Sequence, residues 1–299
     1  MRIKAKLTDF CYLLMNEMVV LSERGDAPCM MTMQETLDRI ANEGCSLTRF
    51  GDGELKWMLD IPQNSFQEQN AELKEKLREV MLKRNDRFII ALSPYFKSLL
   101  KYNAYARKYW AREMCLHRNE FLQLIDSSYK YGNLNVTRFY MDYRDRRHVA
   151  DIIAGWHKIF TGRDLVIIEG EYSRLGLGND LFQGADSVKR IICPVKNAFY
   201  YWRDILMEFL QREFSKDVLV LVALGPTATV LAWEIFAYGY QVLDIGHIDV
   251  EYMWYKQRAK TKIPIRGRYV NEAGGLLEEL DNCLLEDYRK QIVARIGIL

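Results

Sequence analysis

The sequence predicts an α/β protein: a mostly parallel sheet covered by helices on both faces, with a helical N-terminal part and a C-terminal helix. Three observations carry that expectation. The second half alternates short apolar runs with segments of helical spacing. Those runs are apolar at every position, as in strands buried on both faces. The chain is 49% hydrophobic and 27% charged over 299 residues, a globular composition long enough to bury its own core without disulfides.

The elements follow in chain order. Thr32 and Glu35 stand at capping-box spacing and start a helix over 31–43. Leu73, Leu77, Val80 and Met81 repeat at helical spacing, which predicts a helix over 70–84. Residues 87–92 read as a short strand and 98–126 as one or two helices. Strands are expected at 164–168, 188–193, 217–224 and 240–245. Helices are expected at 197–214 and at 227–238, the latter ending at Gly239. Segment 218–224 is the longest apolar run, so it is placed at the centre of the sheet, parallel to 240–245. Residues 271–296 read as one amphipathic helix. With no Gly/Ser linker and no repeat, the chain reads as one α/β domain over 1–299.

Lys plus Arg number 42 and Asp plus Glu 40, a balance that argues against nucleic acid as a partner. The basic tracts 256–262 and 266–268 read as solvated surface first and as a phosphate or membrane patch second. The six cysteines show no CxxC spacing, which fits a reducing cytoplasm and argues against a zinc site. The basic start is interrupted by Asp9 and Glu17, which speaks against a signal peptide, and no apolar run reaches membrane-spanning length. The expected location is cytoplasmic, with the inner membrane face as a place of work.

In parallel α/β sheets ligands bind beyond the carboxyl ends of the strands. Four segments there are unusual. Arg49-Phe50-Gly51-Asp52-Gly53-Glu54 carries two carboxylates at i and i+2, a spacing that can hold a divalent cation against a diphosphate or simply favour a helix start. Residues 169–180 form a glycine loop presenting Gly178, Asn179 and Asp180, without the third glycine of a dinucleotide fingerprint. Gly225-Pro226-Thr227-Ala228 follows a strand and opens a helix, whose free N–H groups attract phosphate. Asp244-Ile245-Gly246-His247-Ile248-Asp249-Val250-Glu251 is the one place where a histidine sits among carboxylates, fit for a general base or metal ligands. Asp249 and Glu251 are expected to matter to turnover rather than to folding, because crowded charges need a compensating cation.

In this order the segments resemble the GT-D type bacterial glycosyltransferases, a family known for extending the glycan of a streptococcal serine-rich adhesin. The matching residues are Arg49 to Glu54, Arg174-Leu175-Gly176 with Gly178-Asn179-Asp180, Arg190-Ile191 with Pro194 and Asn197, Gly225 to Ala228, and Asp244 to Tyr252. The resemblance covers about 30–260; the part after about 262 is taken as a helical extension. It implies a Rossmann-like fold and transfer of a hexose such as glucose from a UDP-sugar to a glycan or glycoprotein acceptor. It also implies a divalent cation, Mn²⁺ or Mg²⁺, at an Asp-x-Glu motif. Two segments fit that motif. One division puts Asp249 and Glu251 at the metal, leaving Asp52 and Glu54 for donor sugar or acceptor hydroxyls, with His247 or a carboxylate taking the proton. The resemblance further implies Arg49, Gly51, Arg174, Gly178, Asn179, Asp180, Asn197, Gly225, Thr227 and Ala228 around the nucleotide sugar, and a Glu near the position that Met253 holds. A metal-dependent phosphohydrolase and a non-catalytic nucleotide-sugar-binding protein are the competing readings, and a homo-oligomer stays open.

Overall fold

The computed structural model describes residues 2–22, 27–63, 67–275 and 282–298. It opens with α1 (Arg2–Ser22), α2 (Met33–Glu43), β1 (Ser46–Phe50), α3 (Asp52–Met58), α4 (Ala71–Met81), β2 (Phe88–Leu92), α5 (Ala104–Gln123), β3 (Gly132–Asn133) and α6 (Val149–Phe160). It continues with β4 (Asp164–Gly170), β5 (Ser187–Cys193), α7 (Trp202–Gln211), β6 (Leu219–Ala223), α8 (Pro226–Ala237), β7 (Gln241–Asp244), α9 (Ile248–Lys256), α10 (Asn282–Lys290) and β8 (Ile292–Arg295). The strands form one sheet in the order β3-β2-β1-β7-β6-β4-β5-β8, and every pairing between them is parallel.

The local signals explain most of these elements. Thr32 accepts from Glu35 N–H at 3.0 Å and Glu35 accepts from Thr32 N–H at 2.6 Å, the reciprocal cap that starts α2. Asn70 and Asn103 cap α4 and α5 by accepting from Leu73 and Ala106 N–H through their side-chain oxygens. Pro226 takes the first position of α8, where its missing N–H costs nothing.

The continuous apolar strands are buried on both faces, as expected. Their side chains alternate: Ile90, Val166, Ile168, Val220 and Val222 pack on one face, against α4, α5, α7 and α8. Ile89, Leu165, Ile167, Leu219 and Leu221 pack on the other, against α2, α6 and α9. β6 is an inner strand between β4 and β7, so segment 218–224 sits where its composition put it.

The C-terminal helix is corrected. Within 271–296 only Asn282–Lys290 is a full helix, and Ile292–Arg295 is a strand paired with β5. The expected span also crosses 276–281, which lie outside the described residues. The run Ile292-Val293-Ala294 is too short to announce a strand. It becomes one because β5 would otherwise present an open row of backbone groups.

Candidate active site

All strand pairs are parallel, so the carboxyl ends share one side of the sheet. Connections diverge there twice: β1 leads one way to β2 while its neighbour β7 leads away toward β8, and β6 leads back to β7 while its neighbour β4 leads out to β5. Each divergence is a switch point where a crevice opens. A cavity of about 630 Å³ runs across both, lined by the segments that follow β1, β7, β6 and β4.

The first wall is the start of α3. Gly51 N–H donates to Glu54 Oε2 at 2.9 Å, which closes the helix start and fixes Glu54 beside the cavity. Asp52 lines the same wall; its Oδ2 accepts from Tyr109 OH at 2.5 Å and from Lys56 Nζ at 3.1 Å. Lys56 stands one helical turn beyond Asp52 and also pairs with Glu113 of α5 at 2.6 Å. Burial pushes the Glu54 carboxyl up to about 7, against the pull of Arg49 and with the push of Asp244.

Arg49 ends β1. Its Nε and Nη2 donate to Asp244 Oδ1 at 3.0 and 2.8 Å, and Nη1 donates to Thr137 Oγ1 at 3.0 Å. This guanidinium passes directly under Gly246, whose φ is +41°; a Cβ there would lie 1.9 Å from Nη2. Glycine at 246 is therefore a requirement of close approach.

On the opposite wall Arg138 and Lys262 share the single carboxylate of Glu272. Burial opposes ionisation of Glu272, but the charges of Arg138 and Lys262 hold its carboxyl far below the usual range. His247 Nε2 lies 3.5 Å from Glu272 Oε1. Burial, then the Arg138 charge, pulls the His247 imidazole down to about 3, so it is neutral at working pH and a weak base. The floor is the start of α8, where Gly225 and Pro226 line the cavity. Thr227 is fully buried, and its hydroxyl has no hydrogen-bond partner among the described residues.

Asp249 and Glu251 are placed elsewhere. Both are fully buried, and neither lines the cavity. Asp249 Oδ1 accepts from Gly176 N–H at 2.8 Å and Asn179 Nδ2 at 2.7 Å, while its Oδ2 meets Arg268 Nε at 2.5 Å. Glu251 Oε2 accepts from the N–H groups of Tyr140 and Met141 at 2.7 and 2.8 Å. Burial, reinforced by Asp142, pushes the Glu251 carboxyl up to about 7. These oxygens are taken by protein donors, so this pair does not fit a cation facing a diphosphate. Where the pair was expected to matter to turnover more than to folding, the structure ties Asp249 to the glycine loop and to Arg268.

The glycine loop is likewise held to the body of the protein. Asn179 is occupied by Asp249, and Asp180 accepts from Tyr252 OH at 2.7 Å and Lys256 Nζ at 3.1 Å. Arg174 donates to the Gly267 carbonyl at 2.9 Å, and Gly178 lies against Leu284. Asn197 has φ +57° and accepts from Glu68 N–H at 2.8 Å, and Ala228 is buried in α8. Of the expected residues, Arg49, Gly51, Asp52, Glu54, Gly225 and His247 meet around the cavity.

Sequence reasoning passed over Lys56, Tyr109, Glu113, Arg138 and Glu272, all of which line it. One signal was available: Lys56 lies four residues after Asp52, on the same helix face. The reading of 256–262 and 266–268 as solvated surface is corrected at Lys262 and Arg268, which turn inward, Arg268 with 2% of its surface exposed.

The family described as "Glycosyltransferase GT-D fold" matches residues 47–273. The chain belongs to this family. It is 36% identical over 271 residues to the probable glycosyl transferase Gly of Streptococcus gordonii, covering 90% of this chain and 39% of that protein. It is 36% identical over 269 residues to the glycosyltransferase GlyD of Streptococcus pneumoniae, covering 88% of this chain and 32% of that one. The chain thus spans well under half of these relatives. Among solved structures, the domain of unknown function 1792, described as having a distinct glycosyltransferase fold, superposes with a TM-score of 0.84 at 33% identity over 97% of this chain and 100% of that one. A glycosyltransferase of the same domain type from Streptococcus sanguinis gives 0.83 at 32% identity over 90% and 100%.

The raised carboxyls of this GT-D chain give a pH prediction. A carboxyl whose folded pKa lies above its unfolded value favours folding fully below about 4 and loses that contribution as pH rises through about 7. Wild type is therefore expected to lose stability relative to Glu54→Gln between about pH 5 and about pH 8, with the gap closing below about pH 4. Urea unfolding of both proteins across that range checks it; parallel curves would refute the raised Glu54.

Proposed function

We propose that the chain is a glycosyltransferase that moves a hexose, such as glucose, from a UDP-sugar to a glycan or glycoprotein acceptor in the assembly of bacterial surface glycans. The observation that carries this reading is the single cavity spanning two neighbouring switch points, with a carboxylate wall on one side and the start of α8 on its floor. Membership of the GT-D family supports it.

The parts divide by chemistry. The start of α8 at Gly225 and Pro226 suits a diphosphate, as does the wall where Arg138 and Lys262 share Glu272. Glu54, with a carboxyl near 7, is matched to accept the proton of an acceptor hydroxyl at neutral pH. His247, neutral and weakly basic, orients and packs. Of the two Asp-x-Glu pairs, Asp52 and Glu54 line the cavity, and these carboxylates would hold a divalent cation together with the donor's phosphates. When bound, such a cation would neutralise charge on the leaving diphosphate.

The test is incubation with UDP-sugars and Mn²⁺ or Mg²⁺, measuring UDP release with and without glycan acceptor. Release of inorganic phosphate would instead mark a phosphohydrolase, and binding without turnover a non-catalytic module. A second expected outcome concerns stability: UDP should raise the melting temperature more with Mn²⁺ than with EDTA, because a ligand that binds only the folded state stabilises it. Equal shifts would remove the cation from the proposal.

A further inference from the structure

The outer half of α1 lies apart from the cavity's chemistry and has an unusual composition. The helix packs on α5 through Tyr12 and Leu13, with Asn16 buried beneath it. Both of its acids are occupied: Asp9 pairs with Lys108 at 2.7 Å, and Glu17 accepts from Leu99 N–H at 2.8 Å. Between residues 8 and 22 every exposed side chain is uncharged. Phe10, Leu14, Met18 and Leu21 are 62%, 51%, 60% and 62% exposed and repeat at helical spacing. An apolar row this continuous calls for a covering surface.

The charges beside it select what covers it. Asp9 sets the N-terminal half of α1 beside Lys108, and Glu17 sets its C-terminal half beside Leu99. Along the adjoining stretch 97–123 the exposed charged residues are Lys97, Lys101, Lys108 and Arg112, with Glu120 the one exposed acid among the described residues. The sequence of α1 itself begins Arg2-Ile3-Lys4-Ala5-Lys6. A second copy of this face would bring like charges together. An anionic surface with an apolar interior would satisfy both the row and its basic flank. Among the described residues no helix is long and apolar enough to cross a membrane.

We propose that the outer face of α1, flanked by Lys97, Lys101, Lys108 and Arg112, docks the protein onto a bilayer bearing anionic lipid headgroups. The helix lies in the interface, with its apolar row among the upper acyl chains and the cations over the headgroups. Tyr105 and Tyr109 are exposed, line the cavity and lie on the same helix as Lys108 and Arg112, so docking brings the cavity mouth toward the headgroups.

The experiment is flotation of the full chain with vesicles of phosphatidylcholine alone or with about one-third phosphatidylglycerol. Wild type should float with the anionic vesicles at about 0.05 M salt and be largely released at about 0.5 M. Leu14→Glu/Met18→Glu should reduce the bound fraction by about tenfold or more, with an unchanged melting temperature. Should that variant misfold, Lys97→Glu/Arg112→Glu keeps the test, because neither side chain belongs to the cavity wall and the loss should be similar. Failure of wild type to float, or equal flotation with neutral vesicles, would overturn the proposal. So would a stable dimer by light scattering that Leu14→Glu/Met18→Glu dissociates while vesicle binding stays absent.

Discussion

Asp249→Ala is expected to lower the unfolding free energy by about 3–5 kcal/mol, the scale for removing one partner of a buried ion pair. Asp249 and Arg268 are both buried and pair at 2.5 Å, with 2% of the Arg268 surface exposed. Without the carboxylate, Arg268 keeps its desolvation cost and loses its compensation. Gly176 N–H and Asn179 Nδ2 lose their acceptor as well, each at about 1–3 kcal/mol if left unpaired. Urea unfolding measures the effect. The double variant Asp249→Ala/Arg268→Met should recover part of the loss, because replacing both partners removes the orphaned charge. Wild-type stability in Asp249→Ala would return Asp249 to the list of candidate metal ligands.

Asp52→Asn and Glu54→Gln are expected to lower sugar transfer by about 10²-fold or more, the scale for losing a positioned acid–base or charge-bearing group. The stability of Asp52→Asn should hardly move, while Glu54→Gln should match or exceed wild type at neutral pH, as the raised Glu54 carboxyl requires. Lys56 keeps Glu113 as its partner when Asp52 is neutralised, and a Gln at 54 still offers an oxygen to Gly51 N–H. The contrast with Asp249 is the informative part: two Asp-x-Glu segments, one costing turnover and the other costing the fold. Transfer assays and melting curves on the same preparations separate them. Full transfer in both variants would leave the cavity as a binding site and remove the proposed chemistry from α3.

By itself the sequence determined the elements whose signals are local. The cap of Thr32 and Glu35 started α2, Pro226 opened α8, and the Val and Leu run of β6 announced a strand covered on both faces. Each rests on contacts a few residues apart, so spacing alone reveals it. The position of Asp52 and Glu54 at a strand end was equally legible, since parallel strands bring their carboxyl ends together. The GT-D resemblance lay in five blocks of sequence and needed no coordinates.

Only the tertiary structure decided which way the polar side chains turn. Asp249 and Glu251 differ by two residues on α9 and both face away from the cavity, while His247 and Val250 between and before them line it. Nothing in that octapeptide distinguishes the two faces. The choice is made by Gly176, Arg268, Tyr140 and Met141, which lie 19 to 111 residues away in the chain. Lys262 and Arg268 read as solvated cations until Glu272 and Asp249 supply buried partners, and β8 exists because β5 has an edge to close. A buried charge is tolerated only where a distant element brings its counter-charge, and a strand edge is closed only by whatever segment reaches it. Both are properties of the assembled chain, which local periodicity does not encode.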